Sequence, residues 1–187
     1  MEEEVAFIIE TAKEQMQDSI EHMKKEFVKI RAGKATPTML NGVMVDYYGS
    51  MTPLAQVANI NTPDGRTLSV QPWEKGMIDP IERAIINSNL GFAPMNNGES
   101  IIISIPPLTE ERRRELAKLA KAESEKAKVS VRSHRKEAND DIKKLEKDGL
   151  SEDVAKDNVA TIQDLTNKYN KTIEELEKVK EEEIMTV

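Results

Sequence analysis

The sequence predicts an α+β protein: a long three-helix bundle with a small α/β domain inserted between its first and second helices. Punctuation is one observation behind this. All eight prolines lie between Pro37 and Pro107, and seven of the eight glycines lie between Gly33 and Gly98. Charge runs the opposite way, with ten charged side chains in residues 32–106 against thirty-eight in residues 107–187. The third observation is periodicity: the flanking segments repeat apolar residues every three or four positions, the signature of one buried helix face. The predicted boundaries are therefore 1–31 with 107–187 for the bundle and 32–106 for the insert.

In the first helix Val5, Ile9, Ala12, Met16, Ile20, Met23, Phe27 and Ile30 form the apolar stripe. Glu2, Glu3 and Glu4 suit its N-terminus, Lys29 and Arg31 suit its C-terminus, and Gly33 is the expected stop. In the insert, strands are expected at Val43–Tyr48, Ala55–Asn61, Thr67–Trp73 and Ser100–Ile105. Asn41-Gly42, Asp64-Gly65 and Asn97-Gly98 read as turns between them. Asp79-Pro80-Ile81-Glu82 reads as a helix start, with Asp79 as the N-cap, Pro80 first in the helix and Glu82 third. That helix should stop near Gly91. After Pro106-Pro107, Thr109 can cap a second long helix of about 58 Å. Its stripe is Leu116, Ala120, Ala127, Val131, Ala138, Ile142 and Leu145. Gly149 ends it, and Ser151 begins a third, with Val154, Ile162, Leu165, Tyr169, Ile173, Leu176 and Val179 facing inward. None of the three can bury its stripe alone, so they must pack together, and a closed bundle favours a monomer.

Several chemistries are excluded. There is no cysteine, so no disulfide framework, thiolate metal site or thiol nucleophile. His22 and His134 are the only histidines, too few for a histidine-rich metal site. No Gly-rich phosphate loop, G-x-S-x-G or H-E-x-x-H occurs. Catalysis therefore has no support. His134 falls on the apolar side of the second long helix and reads as an interhelical packing residue. Trp73, Met39, Met44 and Met51 likewise read as core or packing residues and not as ligand clamps. The longest apolar clusters, such as Ile101–Ile103, fall far short of the ~18–20 residues of a membrane span. The opening Met1-Glu2-Glu3-Glu4 has the wrong charge for a secretory signal, so a cytoplasmic location is expected.

The 187-residue chain has a formal net charge of −7, which on its own argues against a nucleic-acid partner. Its distribution argues otherwise. From Arg112 to Lys136 there are ten basic and three acidic residues, whereas residues 137–187 carry eight and fifteen. At ~100° per residue, Arg114, Lys118, Lys121, Lys128, Arg132, Arg135 and Lys136 share an arc of about 100°, opposite the apolar stripe. Like-charge neighbours one turn apart, such as Lys128–Arg132, cost about 0.2–0.5 kcal/mol each, so stability alone does not account for them. The bland alternative is a solvated coiled-coil face neutralised by glutamates of the neighbouring helix; the pattern favours a polyanion-binding face over it. With no aromatic motif for stacking bases, backbone and shape recognition would dominate. The competing reading is a helical protein-docking adaptor whose charged faces never touch RNA.

Three separated stretches carry a resemblance that covers essentially the whole chain. They are Lys29-Ile30-Arg31-Ala32-Gly33-Lys34-Ala35-Thr36-Pro37, Pro106-Pro107-Leu108-Thr109-Glu110-Glu111-Arg112-Arg113, and Val131-Arg132-Ser133-His134-Arg135-Lys136-Glu137-Ala138-Asn139. In these the chain resembles the bacterial ribosome recycling factor family. The resemblance implies an L-shaped pair of domains and a non-enzymatic translation factor without a cofactor. Such a factor binds post-termination ribosomes through its bundle, largely on large-subunit rRNA. It splits the subunits with elongation factor G, which hydrolyses the GTP, and initiation factor three then keeps them apart. By position, Arg132 resembles the family's main rRNA-contacting arginine, with Arg135 and Lys128 beside it. Lys128 stands where arginine is frequent, Ser133 replaces a usual asparagine, and His134 replaces a branched apolar residue. Arg31, Ala32 and Gly33 on one crossing, and Ile105, Pro106 and Pro107 on the other, would form the hinge between the domains.

Overall fold

In a computed structural model of the chain, residues 1–30 and 33–186 are described. They form four α-helices and six strands in two compact units. One holds the three long helices, and the other spans Gly33–Thr109.

The bundle consists of α1 (Glu2–Lys29), α3 (Glu110–Lys147) and α4 (Glu152–Met185). Acidic residues crowd the first turn of each, where they meet the positive end of the helix dipole. The stripe of α1 is buried at Val5, Ala12, Met16, Ile20, Met23 and Phe27. That of α3 is buried at Leu116, Ala120, Ala127, Val131, Ala138 and Ile142. The turn between α3 and α4 is a Schellman motif. Gly149 takes φ +113°, its N–H donates to Glu146 O, and the Leu150 N–H donates to Leu145 O. Leu150 is buried beside Leu145, the apolar contact that usually seals this motif.

Three expectations for the bundle need correction. Helix α1 ends at Lys29, with Ile30 already extended, so the chain leaves the helix before Gly33. Arg31 and Ala32 lie outside the described residues. On α4, Val154 and Val179 face solvent, while Ala155, Thr166, Lys180 and Ile184 take inward positions. A small drift in the angular phase of a 34-residue helix suffices to exchange such flanking positions. Lys180 fits there because its stem covers apolar surface while its ammonium meets Glu183.

In the smaller unit, a four-stranded antiparallel sheet has the order β3 (Ala58–Asp64), β4 (Thr67–Pro72), β6 (Ile101–Ser104), β5 (Pro94–Asn96). A separate hairpin pairs β1 (Met44–Tyr47) with β2 (Ser50–Pro53). Leu68, Val70, Ile101 and Ile103 project from the central strands into one core, shared with Ile81 and Ile85 of α2 (Ile78–Asn87). Strand β2 was not legible because its turn is Tyr48-Gly49, both at positive φ, a geometry usually advertised by Asn-Gly or Asp-Gly. Asp46 Oδ1 accepts from the Gly49 N–H and makes the turn affordable for tyrosine. Tyr47 and Tyr48 both donate to Glu74, whose carboxylate holds the two phenols above their ordinary pKa. Strand β5 is short, begins with proline and sits at an edge, so it carries almost no sequence signal.

The Asp79 cap also fails. A 3-10 turn at Lys75–Met77 runs straight into α2, so Met77 occupies the cap position in a helical conformation. Asp79 and Glu82 instead accept from Asn96 Nδ2 on β5. The strand expected at Ala55–Asn61 begins as a 3-10 turn at Leu54–Gln56 and becomes extended only at Ala58. Trp73, Met44 and Met51 are exposed, at 67%, 40% and 62%, and only Met39 of that group is core.

The expected hinge residues divide. Ile105 is buried in the small-unit core, and its N–H donates to Arg66 O, so it belongs to that unit and not to a free linker. Pro106 and Pro107 are exposed, between β6 and α3. Gly33 has φ +75°, and a Cβ added there would stand 2.7 Å from Leu108 Cγ. Gly33→Ala should destabilise the protein by about 1–3 kcal/mol, through left-handed backbone strain and displacement of Leu108. Urea unfolding of the two proteins side by side would measure it.

Candidate RNA-binding face

Helix α3 is packed on two sides. Toward α1 it presents Glu123, Lys126, Ala127, Ser130 and His134, which line a groove of about 330 Å³ together with Ser19 and His22. His134 is half-buried there. Its Nε2 lies 3.3 Å from Ser130 Oγ, which lies 2.8 Å from Ser19 Oγ on α1. The interhelical role expected of His134 is thus met through a hydroxyl chain. Toward α4, Ser124 donates to Glu177, and Arg113 donates to the carbonyls of Ile184 and Thr186.

The third side carries the seven expected basic residues. Arg114, Lys118, Lys121, Arg132 and Lys136 are exposed, while Lys128 and Arg135 are half-buried along the border with α4. Helical geometry requires this order, because residues 128 and 135 lie on the edge of the arc nearest the α4-facing Ser124. Lys128 Nζ reaches Glu174 of α4 at 3.4 Å and Glu125 at 3.8 Å. Arg135 Nη1 donates to Gln163 Oε1 of α4 at 3.3 Å. Arg114 pairs with Glu110 one turn back. Lys118, Lys121, Arg132, Arg135 and Lys136 make no ion pair among the described residues. Arg132 bonds only to its own helix, from Nε to Lys128 O at 3.4 Å.

Five cations without an ion-pair partner among the described residues therefore share one face of α3, four of them exposed and Arg135 half-buried against α4. Lys126, outside the arc, is different: its Nζ donates to Glu123 Oε1 at 2.9 Å, and this hydrogen bond raises its pKa. Among the described residues no cluster of three His, Asp or Glu side chains is arranged to hold a metal ion. No helix there is long and apolar enough to cross a membrane.

The profile of the ribosome recycling factor family matches residues 23–185. The chain belongs to the ribosome recycling factor family. It is 60% identical to the ribosome-recycling factor of Flavobacterium johnsoniae and 50% identical to that of Bacteroides thetaiotaomicron. The first match spans all of both chains, and the second spans 98% of this chain and 99% of its relative. Among solved structures, the solution structure of a ribosome recycling factor superposes with a TM-score of 0.74 at 38% identity, over 98% of each chain. A T. thermophilus ribosome recycling factor, placed with E. coli elongation factor G on the E. coli post-termination complex, gives a TM-score of 0.61 at 39% identity. That match covers 97% of this chain and 99% of the other.

In this member of the ribosome recycling factor family, the α4 partners Glu174 and Gln163 went unseen at the level of sequence. Their signal exists, since an antiparallel hairpin about Gly149 brings 174 beside 128 and 163 beside 135. It becomes usable only once the tightness of that turn is known. Glu174 neutralises a residue of the basic face, so Glu174→Gln should strengthen binding to structured RNA a few-fold and steepen its salt dependence. The melting temperature should barely move, because exposed ion pairs contribute about 0–1 kcal/mol. Filter binding across a salt series, alongside thermal melts, checks both statements.

Proposed function

We propose that this chain recycles ribosomes: it binds the post-termination ribosome and, with elongation factor G and GTP, promotes subunit dissociation and release of mRNA and tRNA. The observation that carries the reading is end-to-end identity of 60% with the ribosome-recycling factor of Flavobacterium johnsoniae. The basic face of α3 supports it from a separate direction. The same arc supplies charge for phosphates and lacks the aromatic platform that base-specific readers use.

In this reading Arg132 is the central contact to large-subunit rRNA. Arg135, Lys128 and Lys136 flank it, and Lys121, Lys118 and Arg114 extend the track. Arginine is favoured at the centre because its planar fork meets phosphate through two parallel hydrogen bonds. The protein itself needs no cofactor, since the GTP is hydrolysed by the elongation factor. It acts as a monomer in the cytoplasm and hands separated subunits to initiation factor three.

Contacts to several phosphates predict a steep loss of affinity with salt. Between 50 and 200 mM, ~4–6 phosphate contacts cost about two orders of magnitude or more, by analogy with duplex binding. Arg132→Glu should abolish cosedimentation with ribosomes while leaving the circular dichroism spectrum unchanged. Undiminished binding by this variant would remove Arg132 from the face. Binding that ignores salt would favour the protein-docking adaptor.

The reading also includes a pivot, with Gly33 on one covalent crossing and Pro106-Pro107 on the other. Two crossings allow rotation while limiting separation, and a proline pair transmits force because its backbone is stiff. Replacing Pro106 and Pro107 together by glycine should leave ribosome binding intact and slow subunit splitting by elongation factor G. Light scattering of dissociating ribosomes reads the rate, and an undiminished rate would discard the pivot.

A further inference from the structure

Two rungs cross from the basic face to α4, and their chemistry differs. Lys128 is answered by carboxylates, Glu174 at 3.4 Å and Glu125 at 3.8 Å. Arg135 is answered by an amide, through Nη1 to Gln163 Oε1 at 3.3 Å. A carboxylate orients a cation and cancels its charge together. A neutral acceptor orients the guanidinium and leaves its charge available to a phosphate.

The amide is itself oriented. Gln163 Nε2 donates to Asn167 Oδ1 at 2.9 Å, one turn along α4. A carbonyl oxygen can only accept, so it engages the NH2 end of Gln163 and leaves the carbonyl end for Arg135. Turned the other way, Gln163 would aim two N–H donors at a guanidinium that has no acceptor. Gln163 and Asn167 are both exposed, so the relay lies at the surface and contributes nothing to the apolar core.

We propose that Gln163, set by Asn167, is a positioning residue for RNA binding that holds Arg135 aimed and fully charged before the phosphate backbone arrives. The proposal rests on the reading of the α3 arc as the RNA-binding face. Its physical content is pre-organisation. A long arginine side chain surrenders rotamer freedom when it docks, and ordering it in advance removes part of that loss from the binding step.

The test is binding to purified large ribosomal subunits across a salt series. The full-length proteins compared are wild type, Gln163→Ala, Gln163→Glu, Arg135→Ala, the Gln163→Ala/Arg135→Ala pair, and Arg132→Glu. Gln163→Ala should bind about two- to tenfold more weakly, the worth of one hydrogen bond, with an unchanged salt slope. Gln163→Glu keeps the shape and adds a charge, so its slope should fall by about one. Adding Gln163→Ala to Arg135→Ala should change nothing further, and all melting curves should coincide. Additive losses in the pair, or a full slope for Gln163→Glu, would overturn the proposal. If Arg132→Glu weakens binding while Arg135→Ala does not, the positioning role fails and the face stands. If both bind like wild type, the face itself fails and the proposal falls with it.

Discussion

Burial of the α3 stripe constrains everything else in the bundle. Leu116, Ala120, Ala127, Val131, Ala138 and Ile142 occupy one side of a 38-residue helix, and none can be covered by α3 itself. They must face α1 and α4 together, and this fixes the rotation of α3 about its own axis. Once that rotation is set, the arc holding Arg114, Lys118, Lys121, Arg132 and Lys136 has nowhere to go but solvent. The position of the cations is thus a consequence of apolar packing. Each like-charge pair along the arc costs only a few tenths of a kcal/mol, while each buried aliphatic side chain contributes about 1.5–3 kcal/mol, so packing wins comfortably.

The same packing partitions the chain electrostatically. A protein with net charge −7 is poorly suited to indiscriminate RNA binding, and its excess of acidic over basic residues falls on α1 and α4, whereas α3 carries more basic than acidic residues. Some of these approach the basic face and modulate it locally. Glu174 mutes Lys128, whereas position 163, about three turns earlier on the same face of α4, carries a neutral glutamine beside Arg135. At this border the difference between one carboxylate and one amide decides which cations remain available.

Legibility from sequence followed the strength of the periodic signal. Helices α1, α3 and α4 repeat their apolar positions over seven or more turns, so their existence, their limits to within a few residues and the basic arc could all be read directly. The fold class follows from them. Failures occurred where the deciding interaction is not local. Strand β2 depends on a positive-φ tyrosine that Asp46 supports, and β5 depends on pairing with β6 across a proline edge. Asp79 has every mark of a helix cap, yet the preceding 3-10 turn extends the helix past it, and Asn96 from another strand takes its side chain. Trp73 and Met51 look apolar enough for a core, but Leu68, Val70, Ile81, Ile85, Ile101 and Ile103 already fill it. At the candidate face the cations were readable from α3 alone. Their α4 partners were not, because contact across a hairpin depends on turn geometry that the apolar pattern does not encode.

The two seams of α3 are built differently, and the difference suits a helix that must present charge on one side. Polar links staple α3 to α4 along most of its length: Arg113 to the end of α4, Ser124 to Glu177, Lys128 to Glu174, and Arg135 to Gln163. Toward α1 the described polar link is the Ser19–Ser130–His134 chain, beside a groove of about 330 Å³. Small residues line this seam: Ala127 and Ser130 border the groove with Ser19, and Ala138 shares a core cluster with Ala12. His134 spends Nε2 on the Ser130 hydroxyl, and its Nδ1 has no hydrogen-bond partner, with Glu137 Oε2 3.6 Å away on the same helix. The polar side-chain contacts of α3 with its neighbours are therefore drawn mainly toward α4, the helix that borders the cations. His134 can occupy the α1 seam without disturbing the arc, because the basic residues of the arc that reach a neighbouring helix, Lys128 and Arg135, reach α4 and not α1.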